Sequence, residues 1–278
     1  MKTFTKVLLT SALVLSLIGA VLLGVGVMIG GGAVVKDGTQ ITISNKSLEK
    51  AFTAWSEGFD LVNLCHDFDV ETNRNGQDSL TVSKDELQKI DLDTASVNLY
   101  FKSSSDEKDK VTFSCEAGKE KYKLTFELTD EGTVKIRPIK RYTHLNSSQT
   151  PTVTIVCPKG FVLPKMRADV ASGNLNLDGN FFIKDCDMEL AAGNIDCMGV
   201  GFLKLSLENA AGNATVTLPG ARELYDMDLE CAVGSITVNG NNYNGFGREF
   251  KENNNGDRKL DIECAAGNIT LDFPASSY

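Results

Sequence analysis

Apolar and polar residues alternate through most of the chain beyond residue 88, the period-two pattern of strands with one face buried. Five segments carry the pattern most clearly, residues 168–177, 188–197, 207–216, 229–238 and 262–271, each built around a central glycine: Gly173, Gly193, Gly212, Gly234 and Gly267. These glycines are spaced by 20, 19, 22 and 33 residues. Counted from the glycine, positions −5, −3, +2 and +4 are apolar in every copy but one, where Asn209 stands at −3. Each copy therefore predicts two short strands joined at a bend, with a glycine supplying the conformational freedom that the corner needs. Asn174, Asn194, Asn213 and Asn268 follow the glycine, with Ser235 in the fourth copy, and these residues suit turn geometry. One copy cannot bury its own apolar edge, so neighbouring copies must stack about 4.8 Å apart. The pattern predicts an all-β fold, a β-solenoid or β-helix with about 20 residues per coil, its clear repeats spanning 166–273.

Upstream the repeat fades. Residues 90–101 read as a further copy lacking the glycine, and Val111, Phe113 and Cys115 precede Gly118 at the same apolar offsets. Residues 122–136 suggest a hairpin turning at 129–132, and residues 153–157 a strand leading into the first clear copy. We expect the solenoid to occupy 88–278, preceded by a linker and amphipathic segment over 36–87. Within that segment Leu48, Phe52, Trp55, Phe59 and Val62 have near-helical spacing, which suits a cap on the solenoid better than a helix on anionic lipid, because Glu49, Glu57 and Asp60 accompany them.

The N-terminus has a different character. After a short tail, residues 1–6, containing Lys2 and Lys6, residues 7–35 are uncharged. That stretch exceeds the roughly 20 residues needed to span a bilayer core and is long for the apolar region of a signal peptide. It predicts one N-terminal transmembrane helix, an uncleaved signal anchor. The lysines place the tail in the cytoplasm and the rest of the chain extracytoplasmic, as a single-pass protein of the cell membrane; cleavage is the alternative.

Residues 153–158, the repeated Ser/Ala-Gly-Asn-Ile/Leu units, the polar insert beginning at 238–245 and the closing strand ending at Phe273 together resemble the DUF4097 family of bacterial adhesin-like proteins. The resemblance is strong over about 150–273 and thin over about 88–149. It implies a β-solenoid repeat domain and, as in Firmicute members, a single N-terminal anchor; some members are encoded near envelope-stress systems. The family usually has Gly-Asp where this chain has Gly-Asn.

Charge narrows the function. With 28 basic and 37 acidic residues the net charge is −9, opposite to a nucleic-acid footprint, so no nucleic-acid partner is expected. The acidic residues are patterned. Position −4 is acidic in all five copies, as Asp169, Glu189, Glu208, Glu230 and Glu263, and position −6 adds Asp187, Asp228 and Asp261. Stacking turns these into a ridge of eight carboxylates. It is either a solvated face screened by Lys204, Lys259 and Arg222, or a binding surface for a cationic peptide or, weakly, a divalent cation; no calcium loop motif is present and no structural metal is expected. The insert 241–259 sets the long gap between the last glycines and carries Tyr243, Phe246, Arg248 and Phe250. It is either a recognition loop or a cover for the last coil.

Catalytic equipment is sparse. His66 and His144 lie outside the clear repeats, no phosphate-binding loop occurs, and adjacent residues such as Cys65, His66 and Asp67 point to opposite faces of a strand. No catalytic residue and no cofactor is expected. The seven cysteines lack paired metal-ligand spacing and mostly occupy apolar strand positions, which suits buried thiols, although Cys231 and Cys264 share position −3 and could face each other across coils. The sequence favours a membrane-anchored, non-enzymatic adhesin-like or envelope-scaffolding protein that binds a cell-envelope component. An envelope-stress sensor working with a membrane partner is the alternative, and a carbohydrate-active β-helix enzyme the third reading.

Overall fold

A computed structural model of the chain describes residues 33–36, 39–42, 76–117, 122–139 and 150–273. They fall in two units, 1–67 and 68–278. In the first, β1 (Ala33–Lys36) and β2 (Thr39–Thr42) form an antiparallel hairpin, so residues 33–35, the end of the expected membrane span, belong to a strand. Residues 7–32, the amphipathic segment and Cys65–Asp67 lie outside the described residues. Among the described residues no helix is long and apolar enough to cross a membrane.

The second unit is all β. Its sheet begins at β3 (Ser79–Ser83), upstream of the expected boundary at 88, followed by β4 (Lys89–Ser104), β5 (Lys110–Glu116), β6 (Leu124–Leu128), β7 (Thr133–Pro138) and β8 (Thr152–Pro158). The repeat region forms β9 (Phe161–Asp178), β10 (Phe181–Met198), β11 (Gly201–Thr217), β12 (Tyr225–Val238), β13 (Asn241–Glu252) and β14 (Arg258–Asp272). The spatial order is β13-β12-β14-β11-β10-β9-β4-β8-β5-β3.

The long strands carry the repeats, and the glycines stand in register: Gly193 pairs with Gly173, Gly212 with Gly267, and Gly234 with Gly267. Met188 and Leu190 before Gly193, and Ile195 and Cys197 after it, are all buried. An uninterrupted strand would send those two pairs to opposite faces. At φ +139° Gly193 turns the chain so that both halves face one core. Asn98 of β4 pairs with Asn174, and Val97 stands opposite Gly173, which makes residues 90–101 the glycine-less sixth copy expected from sequence.

Two features depart from simple succession. The fifth copy, β14, lies between β11 and β12 and pairs in parallel with both. The cause is a tight turn at Asn239 and Gly240, with φ of +48° and +76°, that sends β13 back antiparallel along β12. The chain then re-enters beside the start of β12 and fills the slot next to β11. Upstream, β5 resembles a repeat in its apolar offsets but runs antiparallel to both β3 and β8. The hairpin expected over 122–136 is present as β6 and β7, closed by a hydrogen bond from the Gly132 amide to the Thr129 carbonyl at 3.0 Å.

Candidate functional site: an acidic row across seven strands

Register places the −4 residues directly side by side. Asp169 pairs with Glu189, Glu189 with Glu208, Glu208 with Glu263, and Glu263 with Glu230. Asp93 of β4 extends the row beyond Asp169, and Glu249 of β13 extends it beyond Glu230. Seven carboxylates thus cross seven adjacent strands. Beside them runs the −6 row: Asp91, Arg167, Asp187, Ser206, Asp261, Asp228 and Lys251. Like charges opposite one another are unfavourable in a sheet, so where the counter-charges sit decides what the face can do.

They sit mainly at the ends. Arg167 binds Asp169 at 2.6 Å, and Arg137 and Lys89 each reach Asp91 at 3.3 Å. At the opposite edge Lys251 bridges Asp228 at 3.2 Å, Glu230 at 4.0 Å and Glu249. Asp228, Glu230 and Glu249 could otherwise converge on a metal ion. The ammonium of Lys251 already stands among them. The screening expected from Lys204, Lys259 and Arg222 is redistributed: Arg222 is engaged by Glu252, its Nε donating at 3.0 Å, while Lys204 lies near enough to favour the charged form of Asp261.

Between the two ends, Glu189 and Glu263 are half-buried, and among the described residues no cation pairs with either. Burial, reinforced by Asp169 and Glu208, raises the Glu189 carboxyl above its ordinary value; burial, then Glu208 and Glu230, does the same to Glu263. Glu230 and Asp261 are raised too, again first by burial and then by Asp228. Asp93, 9% exposed, is raised to about 6 by burial against the opposing pull of Arg137. The Oδ1 atoms of Asp93, Asp169 and Asp228 are buried and find no hydrogen-bond partner among the described residues. The face therefore holds negative charge in an environment that resists it, and a bound cation would relieve both burial and repulsion.

The insert resolves as an edge strand. β13 covers β12, with Phe250 packed against the core, its ring 4.9 Å from that of Tyr243 and 5.7 Å from the Arg222 guanidinium. Tyr243 is exposed, and the backbones of Phe246 and Arg248 stand opposite Val233 and Cys231. β13 thus lies along the outer edge of β12, and Glu249 and Lys251 on it extend the −4 and −6 rows by one strand. Sequence reasoning missed this contribution because the repeat offsets do not continue into the insert; the Asn239–Gly240 pair was the signal for the hairpin.

The six described cysteines are buried and free. Burial pushes the Cys157 and Cys197 thiols up to about 12, which suits inert packing rather than nucleophilic chemistry. Cys231 and Cys264 do face each other on β12 and β14.

A family described as Toastrack DUF4097 matches residues 87–274. Among solved structures, a provisionally named cell adhesion protein of Clostridium sporogenes is 18% identical, with 70% of this chain covering 97% of that one at a TM-score of 0.47. A provisionally named adhesin of Bacteroides fragilis is 12% identical (70% and 95% covered, TM-score 0.23), and a provisionally named lipid binding protein of Parabacteroides distasonis 14% identical (73% and 98% covered, TM-score 0.24). No curated protein matches the chain. The glycine-cornered parallel strands and the match over most of the repeat sheet place this chain in the Toastrack DUF4097 family.

Proposed function

We propose that the chain is a non-enzymatic, adhesin-like binding or scaffolding protein of the cell envelope, anchored in the membrane by its N-terminal apolar segment with the repeat sheet outside. The acidic row is the face that engages its partner, a cationic peptide or polymer of the envelope. The observation that carries this reading is the run of seven carboxylates in direct register, with no cation among the described residues paired to Glu189 or Glu263. A β-sheet of long paired strands is a rigid platform, and rigid placement lowers the ordering cost of binding. Metal binding is the weaker version of the same chemistry, since Lys251 occupies the cluster of Asp228, Glu230 and Glu249.

Cells displaying the full chain test the proposal. They should retain fluorescent polylysine and lose it when Glu189, Glu208 and Glu263 are all changed to Gln, while external protease removes the sheet from intact cells. Equal retention by the two proteins, or a sheet protected from external protease, would contradict it.

A further inference from the structure

A second site of opposite charge lies at the strand starts, away from the acidic row. A cleft of about 420 Å³ is lined by Phe182, Gly199, Gly201, Pro219, Gly220 and Arg258, among others. Its volume is within the range of small-molecule sites. The elements that build it come from three coils: Phe182 from β10, Gly201 from β11 and Arg258 from β14.

Arg258 is held in place by aromatic groups. Its guanidinium lies 5.5 Å from the Phe182 ring centroid and 5.2 Å from that of Tyr225, and Nη1 donates to the Tyr225 hydroxyl at 2.7 Å. Tyr225 is fully buried, donates in turn to the Pro219 carbonyl at 3.1 Å, and packs on Phe273 with ring centroids 5.3 Å apart. The position of the charge is therefore fixed by the core. Phe182 is fixed as well, because it pairs with Gly201, where a Cβ would stand 2.6 Å from the phenyl ring. Only a residue without a side chain lets the ring lie there.

The charge is also left unspent. Of the four arginines whose side chains are described, Arg137 pairs with Asp91, Arg167 with Asp169 and Arg222 with Glu252, whereas among the described residues no carboxylate pairs with Arg258. In a chain of net charge −9 that is a selective arrangement. A guanidinium has five N–H donors in a planar fork matched to carboxylate and phosphate, and one hydrogen bond to a phenol leaves most of them available.

We propose that this cleft binds an anionic sugar, a pyranose bearing a carboxylate or phosphate, with the anion on the Arg258 fork and an apolar face of the ring against Phe182. The glycine-lined floor lets the sugar approach the backbone. An aromatic face beside a fixed cation favours a ligand carrying both an apolar ring face and a negative group over a free inorganic anion.

Saturation-transfer NMR on the full chain with glucuronate, glucose 1-phosphate and glucose, with inorganic phosphate added as a competitor, tests the site and separates the two anion sources. Glucuronate, glucose 1-phosphate or both should give transfer, glucose much less, and an equal concentration of inorganic phosphate should displace little of it. Affinity for the anionic sugar should fall at least about tenfold in R258Q. R258K keeps the charge without the fork and should weaken binding severalfold; F182L, which retains apolar bulk, should do the same and guards against a folding defect in R258Q. Transfer that is absent for both anionic sugars, equal for glucose, or unchanged in R258Q and F182L would overturn the proposal. Polylysine retention by the acidic row is read separately, so either site can fail alone.

Discussion

Asn209 on β11 donates from Nδ2 to the carbonyl oxygen of Gly193 on β10 at 3.2 Å. It is the polar exception in an apolar position, and it is 2% exposed. The same position in the next coils is filled by thiols with the same duty: Cys264 donates to Gly212 at 3.5 Å and Cys231 to Gly267 at 3.4 Å. Three of the −3 residues thus donate to the corner carbonyl of the neighbouring strand, whereas Leu190 at the same position on β10 has no donor to offer. Asn209→Ala removes the donor and opens a gap, so it should cost about 1–3 kcal/mol in urea unfolding. Asn209→Cys, borrowing the solution used at Cys231 and Cys264, should cost clearly less. Equal losses would contradict the donor role.

The asparagines after the glycines form a ladder. Nδ2 of Asn174 donates to Asn98 at 3.1 Å, Asn194 to Asn174 at 3.3 Å, Asn213 to Asn194 at 3.2 Å and Asn268 to Asn213 at 2.9 Å; the Ser235 hydroxyl closes the row on Asn268 at 2.7 Å. A carboxamide both donates and accepts, so it can continue such a row. Asn194→Ala breaks two rungs and should lower stability by about 1 kcal/mol, whereas Ser235→Ala removes a terminal rung and should cost about half as much. Thermal unfolding of the two variants supplies the comparison, and a larger loss at Ser235 would count against the ladder.

Corner glycines and turn glycines should respond differently to the same change. A Cβ on Gly193 would collide with the carbonyl of Gly173 in the adjacent coil, while one on Gly240 meets nothing within 4 Å, although both have positive φ. Gly240→Ala should cost about 1–2 kcal/mol of conformational strain. Gly193→Ala adds a backbone clash that the sheet cannot relax locally and should cost more than about 3 kcal/mol or prevent folding. Comparable melting temperatures for the two variants would refute the close approach.

Part of this architecture is local in the sequence and part is not. The glycine corners, the −4 acidic row, the sixth copy at 90–101 and the hairpin over 122–136 follow from local alternation and were legible. Strand order was not. Placing β14 between β11 and β12 depends on the positive φ of Asn239 and Gly240, which reverses the chain over β13. The asparagines suit turns individually, and their ladder exists only once the coils are in register. The Arg258 cleft escaped for the same reason, since Phe182, Gly201, Tyr225 and Arg258 belong to four different strands.

Asp93 sets a pH dependence. Its carboxyl titrates at about 6 in the folded protein against roughly 4 unfolded. The folded state therefore binds the extra proton between those values. Its contribution is fully present at or below about pH 4 and lost as pH rises through about 6, a slope amounting to roughly 2–3 kcal/mol at most. Glu189, Glu230, Asp261 and Glu263, also raised, act in the same direction. Asp93→Asn should flatten this part of the profile and raise the melting temperature at neutral pH. A variant as pH-dependent as the parent between pH 4 and 6 would assign the slope elsewhere.

Calorimetric titration of the full chain with a basic peptide, oligolysine, at low and moderate salt tests the acidic face most directly. The parent protein should bind with an affinity that falls steeply with ionic strength. The triple variant Glu189→Gln, Glu208→Gln and Glu263→Gln should remain folded, melt no lower at neutral pH, and lose at least about tenfold in affinity. Binding of equal strength in the two proteins, or none in the parent at low salt, would contradict the claim that the registered carboxylates form a binding face.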